Sequence, residues 1–139
     1  EYEKDRIFCR HGIEHLLDVA RIAYIENLEK NSGLSKEIIY GAALLHDIGR
    51  YLQYTEGIPH EKAGEDLAGE ILKDCGFTGK EQEEILGAIS RHRDRETKDN
   101  SRLAGLLYRA DKKSRICGFC TAEPECNWSE EKKNMLISV

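Results

Sequence analysis

The strongest constraint on the fold is an apolar stretch that carries two polar residues near its end. Residues 38–45 read Ile-Ile-Tyr-Gly-Ala-Ala-Leu-Leu, and His46 and Asp47 follow directly. A segment that is apolar nearly all round predicts a buried helix, here running from about Lys36 to Gly49 behind the capping residue Ser35. An ionised aspartate in such a helix is costly unless it is paired or bound to a metal ion. The sequence therefore predicts a central helix whose polar end needs a partner.

Most of the remaining chain shows the same secondary structure. Apolar residues recur at steps of three and four, which is the period of an amphipathic helix, and the alternation typical of strands is absent. Polar connections are expected at 54–58 and 94–101, and a short last helix could begin at Ser129. We therefore expect an all-α fold, a compact bundle of five or more helices. The further helices run from Ile13 to Leu28, from Pro59 to Cys75, from the capping box at Thr78 to His92, and from Leu103 to Ala110.

Length and charge narrow the class of protein. The chain has 139 residues, which is the size of one domain, and we expect a single helical domain over 1–139 with its core at about 8–116 and a cysteine-bearing segment at 117–139. The formal net charge of −5 disfavours binding to bulk nucleic acid. No stretch is long and apolar enough to span a membrane. The odd number of cysteines, 5, disfavours a secreted disulfide framework, so a cytoplasmic location is expected.

Histidines and aspartates fall where the predicted helices face inward. Helical bundles build metal sites from such side chains, and mixed His/Asp ligation suits Fe, Mn, Co, Ni or Zn and tolerates Mg. Taken singly, each has an ordinary alternative: a hydrogen-bonded core histidine, a histidine that complements a helix end, or a salt-bridged aspartate. Their combination favours one central site for divalent metal. The candidate ligands are His15, His46, Asp47, His60, His92 and Asp111.

Several of these residues lie in segments that resemble a known family. Residues 42–50, Ala-Ala-Leu-Leu-His-Asp-Ile-Gly-Arg, resemble the signature helix of the HD superfamily of metal-dependent phosphohydrolases. His15, with Val19 four residues later, resembles the first histidine of that family, and Asp111 resembles its last aspartate. His60 and His92 are similar to the extra histidines of its binuclear members. The resemblance covers about residues 8–116.

The resemblance implies a ligand set and a reaction. His15, His46, Asp47 and Asp111 would hold a first metal ion, and His60 and His92 would hold a second, with Asp47 bridging the two. The implied reaction is hydrolysis of a phosphomonoester or phosphodiester in a small phosphorylated substrate, a nucleotide, by a metal-activated hydroxide. Beside Asp47, the residues assigned to catalysis through phosphate contact are Arg50, Lys112 and Arg115, with Arg91 and Arg93 as second-rank candidates.

Two residues and two other functions stay open at this point. His11, four residues before His15, could be an alternative ligand, a substrate contact or a residue that faces water. Glu61, beside His60, could orient that histidine or transfer a proton. A di-iron oxygenase could use the same six ligands, and a non-catalytic regulatory module could retain the metal for stability.

The end of the chain carries an incomplete zinc pattern. Cys117 and Cys120 form a Cys-x-x-Cys pair, and Cys126 follows. A structural zinc ion needs four ligands, and Cys9 could supply the fourth if the two ends of the chain meet. Inert thiols and a redox pair are equal alternatives. The HD resemblance does not require these cysteines. Trp128 nearby is expected to pack over a helix end.

Overall fold

The computed structural model describes residues 4–5 and 7–137, and the regular secondary structure of this part of the chain is entirely helical. No strand occurs among the described residues, so the predicted all-α bundle is confirmed. The outermost residues of the predicted single domain, 1–3, 138 and 139, lie outside the described part, as does residue 6. The α-helices are α1 (Ile13–Glu29), α2 (Lys36–Leu45), α3 (Arg50–Glu56), α4 (His60–Asp74), α5 (Gly79–Arg91) and α6 (Leu103–Lys113).

Helix α2 lies at the centre of the bundle. Its residues Ile39, Ala42 and Ala43 are buried, and it packs against α1, α5 and α6. The hydroxyl of Ser35 accepts a hydrogen bond from the backbone N–H of Ile38 at 3.3 Å, as the predicted helix start requires. The small alanines allow the neighbouring helices to approach this core closely.

The predicted extension of this helix to Gly49 is wrong in its last turn. Helix α2 ends at Leu45, and residues 46–49 form tight turns, with the N–H of Ile48 bonded to the carbonyl of Leu45 at 3.0 Å. The cause is the close approach of α4. A Cβ atom at Gly49 would lie 2.2 Å from the carbonyl oxygen of His60 and 2.5 Å from the amide nitrogen of Gly64. Only glycine fits there, and the turn brings His46 and Asp47 up against the start of α4.

The polar connection predicted at 54–58 is also wrong, because most of it is helical. Helix α3 covers Arg50–Glu56 and ends at Gly57, whose φ of 71° is the left-handed conformation that glycine adopts at no steric cost. The connection to α4 is therefore shorter than predicted. Helix α4 begins at His60, and Pro59 is the residue before it and not the first helical residue.

The remaining boundaries agree with the sequence more closely. Helix α5 starts with a complete capping box, in which the side chains of Thr78 and Glu81 each bond the backbone N–H of the other. After α6 the described chain has only 3-10 helical turns, at Cys117–Phe119, Glu123–Glu125 and Glu130–Lys132. The last helix expected from Ser129 is thus a single turn. Within the described ranges, every helix is too short or too polar to cross a membrane.

Candidate metal centre

Five parts of the bundle bring the six predicted ligands to one place. His15 comes from α1, His60 is the first residue of α4, and Asp111 comes from α6, while the other three follow directly on the ends of α2 and α5. All six side chains are at most 9 % exposed. Their ligand atoms form two groups, each with all atoms within 4.8 Å of one another. The first group is His15, His46 and Asp111, and the second is Asp47, His60 and His92.

Asp47 lies between the two groups. Its Oδ2 is 3.4 Å from Nε2 of His46 and 3.8 Å from Nε2 of His15. Its Oδ1 is 3.1 Å from Nε2 of His60 and 3.8 Å from Nε2 of His92. One carboxylate oxygen therefore faces each group, which is the arrangement of a bridging ligand. Asp111 faces only the first group, with Oδ1 at 3.5 Å from Nε2 of His15.

Hydrogen bonds fix which nitrogen of each histidine faces the centre. Nδ1 of His46 lies 2.7 Å from the carbonyl oxygen of Ala43, and Nδ1 of His92 lies 2.6 Å from that of Ile89. A carbonyl oxygen only accepts, so both Nδ1 atoms carry the proton and both Nε2 atoms present a lone pair. These are the tautomers that bind metal through Nε2.

The other two histidines are oriented by side chains. Nδ1 of His15 lies 3.2 Å from the hydroxyl of Ser114, which donates its own proton to the carbonyl of Asp111 at 2.8 Å and so accepts from the imidazole. Nδ1 of His60 lies 2.7 Å from Oε1 of Gln53. Neither Gln53 nor Ser114 is predicted from the sequence. Ser114 follows Asp111 by one helical turn, whereas Gln53 lies on α3, a helix that the sequence analysis missed.

The residues at this centre fit a divalent cation. Nε2 of His15, Nε2 of His46 and Oδ2 of Asp47 are buried and have no hydrogen-bond partner in the described part of the protein. Buried polar atoms of this kind are normally satisfied by a partner. A cation coordinated by these atoms would satisfy them all, and the nitrogen and oxygen donors suit first-row transition metals.

Electrostatics keeps the ligands in their metal-binding protonation states. Burial alone would raise the pKa of Asp47, but His60, His46 and Arg50 hold it well below its usual range. Burial, with the neighbouring His46, lowers the pKa of both His15 and His92 to about 4. At neutral pH the carboxylate of Asp47 is thus charged and the imidazoles of His15 and His92 are neutral, as metal coordination requires.

The comparison with known families agrees with this geometry. The HD domain family matches residues 12–116, which is most of the chain. This chain belongs to the HD domain family. It is similar to a protein of Clostridium beijerinckii described as uncharacterized, at 49 % identity over 137 residues, which cover 99 % of this chain and 85 % of that protein. No solved structure matches the chain. HD domains bind divalent metals, and their superfamily consists in general of metal-dependent phosphohydrolases.

The site formed by the six candidate ligands is called the HD centre. Three cations predicted for phosphate contact lie at this centre. Nε of Arg50 donates to Oδ1 of Asp47 at 3.0 Å, and Nζ of Lys112 donates to Oδ2 of Asp111. Nη2 of Arg115 is 3.4 Å from Oδ1 of Asp111. Burial would raise the pKa of Asp111, but Arg115 and Lys112 outweigh it and keep that carboxyl ionised. Each predicted cation therefore contacts a predicted metal ligand.

Arg115 also has hydrogen-bond donors that are not used within the described part of the protein. Its side chain is 10 % exposed, and its Nε and Nη1 are buried without a hydrogen-bond partner among the described residues. The ring of Trp128 stacks on the guanidinium at 4.2 Å, so Trp128 packs against this cation and not simply over a helix end. A held guanidinium with two unpaired N–H groups is suited to an anion.

The second-rank residues have mixed outcomes. Arg91 is 52 % exposed and pairs with Asp94 at 3.3 Å, so it does not join the HD centre. Arg93 is 3.8 Å from Oε2 of Glu61, and the same oxygen is 3.4 Å from Nδ1 of His60. Glu61 thus contacts a predicted ligand. The side chain of His11 is 4 % exposed with Nε2 3.9 Å from Oδ2 of Asp47, so the alternative in which it faces water is wrong.

A cavity of about 240 Å³ opens beside the HD centre. Its lining includes His11, His15 and Arg115 from the centre and the apolar side chains of Phe8 and Ile116. The same cavity is lined by the four cysteines of the incomplete zinc pattern. In the described residues, the groups of three ligand atoms that converge within 4.8 Å contain no cysteine.

Proposed function

We propose that this HD domain is a metal-dependent phosphohydrolase that cleaves a phosphomonoester or phosphodiester of a nucleotide. The observation that carries the proposal is the position of Asp47, whose two oxygens face separate groups of imidazole nitrogens at 3.1–3.8 Å. This geometry suits two ions that share one carboxylate. In a two-ion site the ions together stabilise the attacking and the leaving oxygen of a phosphoryl displacement.

The ligands divide between the two proposed ions as the groups divide in space. His15, His46 and Asp111 would hold one ion, His60 and His92 the other, and Asp47 both. When bound, divalent ions lower the pKa of coordinated water and polarise phosphoryl oxygens. We propose Fe, Mn, Co, Ni or Zn as the ions, because neutral imidazoles form most of the ligand set.

The cations at the centre would bind the phosphoryl group. Arg115 has buried Nε and Nη1 donors without a partner among the described residues, and each could donate to a phosphate oxygen. In hydrolysis a bond forms between a water oxygen and phosphorus while the ester P–O bond breaks, and negative charge grows on the departing oxygen. Arg50 and Lys112, each beside a carboxylate of the centre, would offset this charge.

The cavity supports a small substrate with an apolar part. Phe8 and Ile116 line the same cavity as Arg115, so an apolar ring and a phosphate could be bound together there. His11 lines the cavity and is proposed as a substrate contact. A nucleotide has both features, whereas long nucleic acid would exceed a cavity of about 240 Å³.

The test is a phosphoester panel with protein loaded with each metal in turn. We expect phosphate or nucleotide release from nucleoside phosphates or phosphodiesters, and an Arg115→Ala loss of about 10²-fold in kcat/KM. Arg21→Ala is the matched control, since Arg21 pairs with Asp18 at the surface with its side chain 60 % exposed. Full metal content with no turnover of any phosphoester would contradict the proposal. Oxygen uptake by the iron-loaded protein would favour the oxygenase.

A further inference from the structure

Four of the five cysteines in this chain line one cavity. Cys9 precedes α1, and Cys117, Cys120 and Cys126 follow α6, yet all four border the space beside the HD centre. The fifth, Cys75, is exposed at the end of α4. The match to the HD family begins at residue 12 and ends at residue 116, so the four cysteines flank it on both sides. The HD fold therefore does not account for their shared position around the cavity.

The segment that carries three of them has little core of its own. Between residues 117 and 137, all of which are described, Ala122 is the only buried residue, and the regular structure is limited to 3-10 turns. Asn134 ties the segment to the end of α6, where its Nδ2 donates to the carbonyls of Lys113 at 2.9 Å and Arg115 at 2.8 Å. A segment with so little apolar burial is commonly stabilised by a covalent or metal cross-link.

The Cys-x-x-Cys pair lies on a turn that is packed from behind. The N–H of Cys120 bonds the carbonyl of Cys117 at 3.0 Å, and the N–H of Gly118 bonds the carbonyl of Asn134 at 3.3 Å. A Cβ atom at Gly118 would lie 2.6 Å from the carbonyl oxygen of Met135, so only glycine allows this contact. The returning chain thus supports the turn that carries both thiols.

We propose that Cys9, Cys117, Cys120 and Cys126 form a structural zinc site that ties the two ends of the chain together. All four are free thiols, and four thiolates are a complete tetrahedral set for zinc. Their sulfur atoms do not yet converge within 4.8 Å in groups of three. Zinc binding would require the four sulfur atoms to move to about 2.3 Å from one ion, at the part of the cavity that the cysteines border.

The charges around the cavity suit this site. Each thiol releases its proton to solvent on binding, so four thiolates and one Zn²⁺ carry a net charge of −2. The lining includes Arg115 and Lys133, whose side chains are 10 % and 7 % exposed. Lys133 already pairs with Glu123 at 2.6 Å and with Glu130 at 2.9 Å, so Arg115 would offset part of that charge. The site does not depend on the proposed hydrolysis.

The experiment uses the full chain, purified under reducing conditions without chelator. Cobalt replaces zinc, because thiolate-to-cobalt charge transfer gives intense near-ultraviolet absorption that the sulfur-free HD centre cannot give. We expect this absorption in the native chain and its loss in Cys9→Ser and Cys120→Ser, each with one zinc equivalent fewer by elemental analysis. Cys75→Ser is the matched control and should keep both signals. Loss of HD metal alone, in Asp47→Ala, should leave the cobalt–thiolate band in place.

A second measurement uses the unaltered chain, so the test does not depend on whether the cysteine variants fold. A thiol reagent should modify only Cys75 in the zinc-loaded protein and all five cysteines after a strong chelator is added. The proposal is overturned if all five react at once in the loaded protein, or if no charge-transfer band forms with cobalt. It is equally overturned by a disulfide among the four, or by iron with acid-labile sulfide in place of zinc.

Discussion

The Nε2 atoms of His60 and His92 lie 3.2 Å apart, although each imidazole already has a partner at Nδ1. Two nitrogen lone pairs at this distance repel, so a proton or a metal ion has to lie between them or beside them. Oδ1 of Asp47 faces the same point, at 3.1 Å from Nε2 of His60. This pair of histidines is the structural reason to expect a second ion.

Removal of either histidine should therefore empty one position and spare the other. His60→Ala and His92→Ala should each lower the metal content by about one ion per chain, because the first group keeps its own ligands. Elemental analysis with circular dichroism as the check on folding measures this. If both variants kept full metal content and full activity, the centre would be mononuclear.

Asp47→Ala should have the larger effect. Among the described residues it removes the one carboxylate that faces both groups, and it leaves their neighbours without that counter-charge. We expect loss of metal retention and of any phosphohydrolase activity. Asp66→Ala, on the exposed face of α4, is the control and should retain both. Normal metal content in the Asp47 variant would refute the site.

The partners of the ligand histidines should set metal affinity without holding the fold. Gln53→Ala and Ser114→Ala each remove the acceptor at one Nδ1 atom, so metal affinity should fall by about 10–100-fold. Competition with a chelator of known affinity measures the change, and Gln53→Glu should restore binding. Thr55→Ala, whose hydroxyl bonds the carbonyl of Tyr51 on the same helix, should leave affinity unchanged.

As the pH falls, the metal-free protein should lose stability already at pH values above those at which its carboxylates titrate. The pKa of His15 and of His92 is about 4 in the folded state and has its ordinary value of 6.5 in the unfolded chain, so the unfolded chain binds more protons between these pH values. The free energy of unfolding should fall as pH drops from 6.5 to 4, by up to about 3 kcal/mol for each histidine. Denaturant titrations at several pH values test this, and His92→Gln should flatten the slope.

The approach between Gly49 and α4 gives a prediction on stability. Gly49→Ala places a methyl group 2.2 Å from the carbonyl oxygen of His60, so it should destabilise the fold by about 1–3 kcal/mol or more and weaken metal binding. Gly87→Ala is the matched control, because nothing lies within 4 Å of its Cβ position on α5. That change should stabilise the chain by up to about 1 kcal/mol. Equal melting temperatures for the two variants would contradict the argument.

The sequence predicts most of this architecture because the helix caps and apolar patterns that it contains match the way in which the helices pack. The apolar run of α2, the Ser35 cap and the capping box at Thr78 depend on neighbours a few residues away, so they can be read directly. The end of α2 depends on α4, through contact between Gly49 and the backbone of His60, and no local pattern shows that contact. Helix α3 has no buried residue, so it lacks the apolar stripe that would predict it.

The same distinction applies to the site. The six candidate ligands were chosen by residue type and helical position, and the structure brings them together. Their orientation depends on Gln53 and Ser114, which contact them across the fold at 2.7 and 3.2 Å. Hydroxyl and amide side chains are too common in sequence for such roles to be assigned without coordinates. The position of Cys9 on the same cavity as the last three cysteines likewise depends on the tertiary fold.

The bonds from Nδ1 of His46 to Ala43 and from Nδ1 of His92 to Ile89 each span three residues at the end of a helix. The terminal carbonyls of a helix need donors, so the bonds that complete α2 and α5 also set the rotamer and tautomer of two ligands. The imidazoles thus become ordered when the chain folds, so metal binding does not lose that conformational entropy. With the ligands ordered in advance, the ion found in the protein will depend strongly on which divalent metals the cell keeps available.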